Sequence, residues 1–301
     1  MAVGIVPGLV VGLREGIEAA LVIGIILAYL TKIGQRGLRR YVYMGTVAAL
    51  GASVLGAVAF AVLVGEFEGA GEELFEGVAA ILAVVVLTSM ILWMMKAAKD
   101  IRMHVEQRID VLVDRRHVFG LASLAFIAVF REGVETVLFV AGLAGAVPTA
   151  DLVAGVAIGL LAAAFIGFGI YGAAWKINLQ RFFQVTSLLL IVIAAGLFAL
   201  GVHELQEVGV LPWLGGPTYD LTQTFPDSDA NPVGYLLRGL VGYNDNPSQL
   251  EVVAYAAYWA FTAMVWWGIR TGKIKIVTRP LRSAWAAVRR AFRRSPATET
   301  P

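Results

Sequence analysis

"GLREGIEAAL" (residues 12–21) and "VFREGVETVL" (residues 129–138) decide how this chain is read, because each sets one arginine and two glutamates inside a long apolar run. A run of about 20 apolar residues is what a helix needs to cross a hydrocarbon core of ~30 Å. A charge held at the bilayer centre costs about 2.5 kcal/mol or more, so residues of this kind mark ion pathways and binding sites by default. Two matching copies of the same costly turn point to a shared task.

Composition supports the membrane reading. Of 301 residues, 58% are hydrophobic and 15% charged, and the mean hydropathy is +0.76, far from the balance of a soluble domain. No stretch shows the period-two alternation of an outer-membrane barrel, so the expected class is all-α and polytopic. The first apolar run has no basic segment before it and no small-residue cleavage pattern, and it is read as a retained span. The chain has no cysteine, which excludes disulfides, thiolate metal sites and iron–sulfur clusters. Without a phosphate-binding G-x-x-x-x-G-K-[ST] run, transport would be driven by gradients or potential rather than by ATP.

Seven spans are expected, at about 3–30, 41–64, 77–96, 118–147, 152–175, 183–205 and 251–270. Alternate connections are basic: Lys32, Arg36, Arg39 and Arg40 in the first, six Lys/Arg against four acids in 96–117, Lys176 and Arg181 in the third, and nine Lys/Arg from Arg270 to Arg294. The positive-inside rule puts these in the cytoplasm, with the N-terminus outside and the C-terminus inside a cytoplasmic membrane. The opposite connections carry Glu66, Glu68, Glu72, Glu73 and Glu76, then Glu204, Glu207, Asp220, Asp227, Asp229, Asp245 and Glu251 against a lone Arg238. Acids contribute little to orientation; an electrostatic funnel for cations is one use for them. Residues 279–294 and 102–116 have the pattern of amphipathic helices lying on an anionic inner leaflet, read as anchors without further function. The expected organisation is a permease domain over 1–270, with one repeat at about 1–96, a second at about 118–206, an outer loop at 207–250 and span 7 at about 251–270, followed by a basic cytoplasmic tail over 271–301.

The two R-E-G-x-E motifs fall in spans 1 and 4. Three spans apart, equivalent helices run in opposite directions, so spans 1–3 and 4–6 are expected to form an inverted repeat with its binding site near the midplane. Counting from the centres of 3–30 and 118–147 puts all four glutamates within roughly one helical turn of mid-membrane. Glutamates three apart share a helix face, and an arginine four before the second is within ion-pair reach. Gly16 and Gly133 let another backbone approach and ease local unwinding.

Pairing Arg14 and Arg131 each with one glutamate leaves two carboxylates uncompensated. Glu15, Glu18, Glu132 and Glu135 then offer hard oxygen donors with a net charge of about minus two, which suits Fe²⁺, Mn²⁺, Mg²⁺ or Ca²⁺, or Fe³⁺ with further anionic ligands. An inside-negative potential of 100 mV favours inward movement of a divalent ion by about 4.6 kcal/mol. A proton-coupled carrier using the same glutamates, and a pair of structural ion locks, are the alternatives.

These motifs resemble those of the oxidase-dependent iron transporter family, which includes fungal high-affinity iron permeases and bacterial Efe-type permeases. The resemblance extends to "EELFEG" (72–77), "HELQE" (203–207) and "LLRGLVGYNDNPSQLEVVAY" (236–255). It implies iron as the transported substrate with no tightly bound cofactor, the paired glutamates as its carriers, and an extracytoplasmic oxidase or iron-binding partner. It implies no nucleic-acid partner, and leaves oligomerisation open. Glu72, Glu73 and Glu76 are candidates for an outer capture site, though acids at a helix N-terminus serve equally to offset its dipole. His203, Glu204 and Glu207 are further candidates, with His203 and Glu207 on one face; a plain surface helix end is the competing reading. His104 and His117 are read as solvated, and Thr88, Ser89 and Met90 as packing residues. An enzyme is not expected: a di-iron carboxylate oxidase would want Glu-x-x-His pairs and a zinc peptidase H-E-x-x-H, and neither is present.

Overall fold

The computed structural model describes residues 4–64, 69–97, 109, 118–171, 179–228 and 230–271. The proposed surface helices at 102–116 and 279–294, the basic tail, His104, His117, Glu66, Glu68 and Asp229 lie outside these residues, save Ile109. That residue is helical and buried with Ile26, Leu30, Val42 and Leu121.

The described residues are mainly helical, with no strand among them. In chain order the helices are α1 (Ile5–Lys32), α2 (Arg39–Val64), α3 (Ala70–Ala97), α4 (Val118–Leu143), α5 (Thr149–Tyr171), α6 (Leu179–Glu207), α7 (Pro232–Val241) and α8 (Gln249–Arg270). The chain divides into two compact units, Met1–Tyr255 and Ala256–Pro301, with the break inside α8. Among the described residues, four helices are long and apolar enough to cross a membrane: α2, α3, α5 and α6. Helices α1 and α4 are as long, but each carries three charges near mid-length. Side chains on α2 and α5 such as Val47, Leu55, Leu161 and Phe168 are exposed, the inverse of a soluble surface and the arrangement lipid requires.

The helices exceed the apolar runs where polar residues extend the hydrogen-bonded ladder. Helix α3 begins at Ala70, seven residues before the apolar stretch, because Glu72 and Glu73 are favourable in a first turn where the dipole attracts negative charge. The long loop after α6 contains a helix that no apolar run announces. Asn231 caps α7 by accepting from the Val233 N–H at 3.2 Å, Pro232 occupies the first turn, and Gly242 closes it with φ of 68°, a left-handed conformation that glycine adopts without penalty.

Packing pairs helices across the two halves of the sequence. Helix α1 lies against α5, α2 against α4, and α3 against α6, while α1 and α4 also touch. Glycines allow the first two pairings. A methyl group at Gly8 or Gly12 would overlap the carbonyl of Leu152 or Val156, and one at Gly155 or Gly159 that of Ile5 or Leu9. Gly45 of α2 meets the Ala122 carbonyl of α4 in the same way. In lipid, where apolar side chains gain nothing by leaving an apolar solvent, such close backbone approach is a main source of helix association.

Candidate metal centre

Both motifs lie in unbroken helix. The motif glycines are used, though not for unwinding, and each admits a side chain rather than a backbone. A methyl at Gly16 would come within 2.5 Å of Ala163 Cβ on α5, and one at Gly133 would overlap Ser53 Oγ on α2. Each glycine seats the second helix of the opposite half, so the turn that carries the acids is pinned from behind.

Helices α1 and α4 bring together three of the four motif glutamates. Carboxylate oxygens of Glu15, Glu132 and Glu135 lie within 4.8 Å of one another, and all three residues are buried. Arg14 Nη1 contacts Glu15 Oε1, and its Nη2 contacts Glu18 Oε1. Glu18 is therefore buried beside the group, held to Arg14, and outside the triad. On α4, Arg131 Nη2 meets Glu132 Oε1 at 2.5 Å and Nε lies 3.5 Å from Glu135 Oε1. Each triad glutamate keeps one oxygen, Oε2, buried without a hydrogen-bond partner. Buried polar atoms are ordinarily satisfied, and a buried anion left unpaired is costly, so three such oxygens at one place call for a proton or a cation. Three carboxylates at this spacing match the oxygen-rich sites that hard cations take.

The outer candidates separate into two groups. Glu72 is exposed at the start of α3 and Glu73 half-buried. Glu76 and Glu204 converge: a methyl at Gly145 would lie 2.7 Å from Glu76 Oε2 and 2.9 Å from Glu204 Oε1. His203 turns to a different partner, with Nδ1 3.0 Å from Glu251 Oε1 and Nε2 3.4 Å from Glu207 Oε1. Glu251 also accepts from Asn244 Nδ2 and the Ser248 N–H, each at 2.9 Å, while Ser248 Oγ accepts from the Glu251 N–H. This is a capping box at the start of α8, and the S-x-x-E spacing at 248–251 marks it in the sequence.

A cavity of about 330 Å³ lies here, lined by His203, Glu204, Asp227, Arg238, Asp245 and Glu251 among others. Arg238 crosses it, donating to the Gly145 carbonyl at 3.1 Å and lying 3.6 Å from Asp227 Oδ1. Burial raises the Asp227 carboxyl above its ordinary range while Arg238 pulls the other way. Asp227 carries no local motif, Arg238 and Asn244 fall in the 236–255 stretch, and the three are assembled only by the folding of the loop. Met90 touches the centre as well: its sulfur accepts from Arg14 Nη2 at 3.4 Å. One methionine in an apolar span gives no sequence signal.

Comparison with known proteins finds relatives over most of the chain. A family model described as the iron permease FTR1 family matches residues 5–278. A protein of Yersinia pestis named ferrous iron permease EfeU is 33% identical over 247 residues, 81% of this chain and 87% of its own length. A protein of the same name from Escherichia coli O6:H1 is 34% identical over 263 residues, 84% and 91% of the two chains. An uncharacterized protein of Archaeoglobus fulgidus is 37% identical over 258 residues, again 84% and 91%. No solved structure matches significantly. Matched over nearly its whole length, the chain belongs to the iron permease FTR1 family, membrane transporters of iron rather than enzymes.

Proposed function

We propose that this protein imports iron across the cytoplasmic membrane through the buried centre formed by Glu15, Glu132 and Glu135, with Glu18 as a fourth carboxylate released from Arg14 during passage. The observation that carries the reading is the set of three buried, unpartnered oxygens drawn from two helices more than a hundred residues apart. Four carboxylates and two guanidiniums sum to minus two, which one divalent ion cancels. Hard oxygen donors suit Fe²⁺, the ion carried in the names of the two EfeU relatives.

The proposed architecture has seven spans over 1–270, with 1–96 and 118–206 as inverted repeats and 271–301 as a basic cytoplasmic tail. Its support is the reciprocal pairing of α1 with α5 and α2 with α4, in which each repeat's first helix packs on the other's second. With the N-terminus outside, the Glu76 and Glu204 pair and the cavity beside it lie on the outer side, as a capture point for iron delivered by an extracytoplasmic oxidase or iron-binding partner. A Glu76→Gln, Glu204→Gln double variant then lowers uptake at limiting iron and leaves it unchanged at saturation.

The test is uptake of radioactive iron into proteoliposomes under an inside-negative potential, with manganese as competitor. Glu15→Gln, Glu132→Gln and Glu135→Gln are expected to abolish most of it at normal protein abundance. Accumulation indifferent to all three substitutions would reject the site, and manganese carried in preference to iron would reject the substrate.

A further inference from the structure

We propose that Met90 is a positioning residue of the iron centre, its sulfur holding the Arg14 guanidinium so that Arg14 occupies one oxygen of Glu15 and leaves the other for the ion. The inference rests on the Glu15, Glu132 and Glu135 group being the iron site.

Arg14 is the only cation on α1 near the centre, and just 2% of it is exposed. A guanidinium presents five N–H donors in a rigid fork and prefers to clasp a carboxylate through both oxygens. In a dry site nothing in the solvent competes for those donors. Turned fully onto Glu15, Arg14 would consume both of its carboxylate oxygens and cancel the charge the ion needs.

The observed arrangement differs. Nη1 meets Glu15 Oε1, Nη2 meets Glu18 and the Met90 sulfur, and Glu15 Oε2 stays without a partner. Met90 itself is buried, on α3, and belongs to neither motif helix. A thioether is a weak, neutral acceptor. It can therefore orient the guanidinium without adding charge to the site and without pulling it off the glutamates. A leucine at the same place would fill the space, since Met and Leu exchange with little change of volume, but would accept nothing.

The experiment compares Met90→Leu, Met90→Gln and Glu15→Gln with wild type in the same proteoliposomes, measuring initial iron uptake over a range of concentrations. Loss of one hydrogen-bond acceptor is expected to raise the KM of Met90→Leu about three- to tenfold at an unchanged maximal rate. Met90→Gln restores an acceptor and is expected to return KM to within about twofold of wild type. A packing role predicts the reverse order, with Leu tolerated and Gln harmful. Should Met90→Leu not be recovered folded, Met90→Ile against Met90→Gln gives the same contrast of a similar volume without and with an acceptor. Wild-type KM in Met90→Leu, or equal impairment in the Leu and Gln variants, overturns the proposal while an inactive Glu15→Gln leaves the iron site standing. Normal uptake by Glu15→Gln overturns both.

Discussion

The two R-E-G-x-E turns are near copies in sequence and different in surroundings. Arg14 has 1% of its side chain exposed, with Met90 of α3 against it, whereas Arg131 keeps 44% exposed on a stripe of α4 that also shows Phe119, Ile127 and Val134. The glutamates do not follow this division, since Glu15 and Glu132 are both buried to within a few per cent. A repeated motif thus supplies equally buried first glutamates, while the packing around it makes one arginine an internal group and the other a boundary group. Equal sequence does not imply equal energetic weight.

The sharpest way to break the comparison is to remove each arginine. Arg14→Gln strands two buried carboxylates, and breaking a buried pair of this kind costs about 3–5 kcal/mol. It is expected to lower folded yield severely by detergent-solubilised size exclusion. Arg131→Gln also strands two buried carboxylates, but its own guanidinium is 44% exposed and holds Glu135 only at 3.5 Å, so a smaller loss of folded yield is expected. Equal loss from both would mean that exposure in this conformation carries no energetic meaning.

Next in size are the glutamates themselves. Glu15→Gln and Glu132→Gln should reduce iron uptake alike, by about tenfold to a hundredfold, as changes around a metal site do. Glu18→Gln should be milder than either, since Glu18 stands outside the triad. A Glu18→Gln variant as inactive as Glu15→Gln would show that the ion uses Glu18 as fully as the triad.

The glycines behind the turns sharpen the comparison further. Gly16→Ala drives a methyl into Ala163 Cβ, which has no torsion to relieve it, and overpacking of this sort costs about 1–3 kcal/mol. Gly133→Ala meets Ser53 Oγ and also Ser53 Cβ at 2.5 Å, which is likewise fixed to its backbone, so its thermal midpoint should fall at least as far and Ser53→Gly should rescue it. The smallest effect belongs to the outer network. Ser248→Ala removes the cap of α8 and should cost about 1 kcal/mol in thermal unfolding, with iron uptake near normal.

The helices were legible because their signals are local. Apolar length announced α1 to α6 and α8, and the ends moved by a few residues where polar caps such as Glu72 and Glu73 extended the ladder. Helix α7 was missed because it is short and amphipathic, although Asn231, Pro232 and Gly242 spell its start and stop. The candidate residues of the centre were legible for a similar reason: charges inside apolar runs are conspicuous wherever the protein folds them. The contact of Met90 with Arg14, the convergence of Glu76 with Glu204 over Gly145, and the engagement of His203 by Glu251 were not, since each joins residues far apart in the chain.

The sequence by itself determined that this is a helical membrane protein with an acidic turn inside each of two long helices, because helix formation and lipid solubility depend on composition within about 20 residues. Only the tertiary structure decided that Glu15 meets Glu132 and Glu135 while Glu18 stays with Arg14, and that α3 rather than solvent attends Arg14. Those outcomes depend on which glycine seats which neighbouring helix, and distances set by packing between distant segments are not encoded in any single stretch of chain.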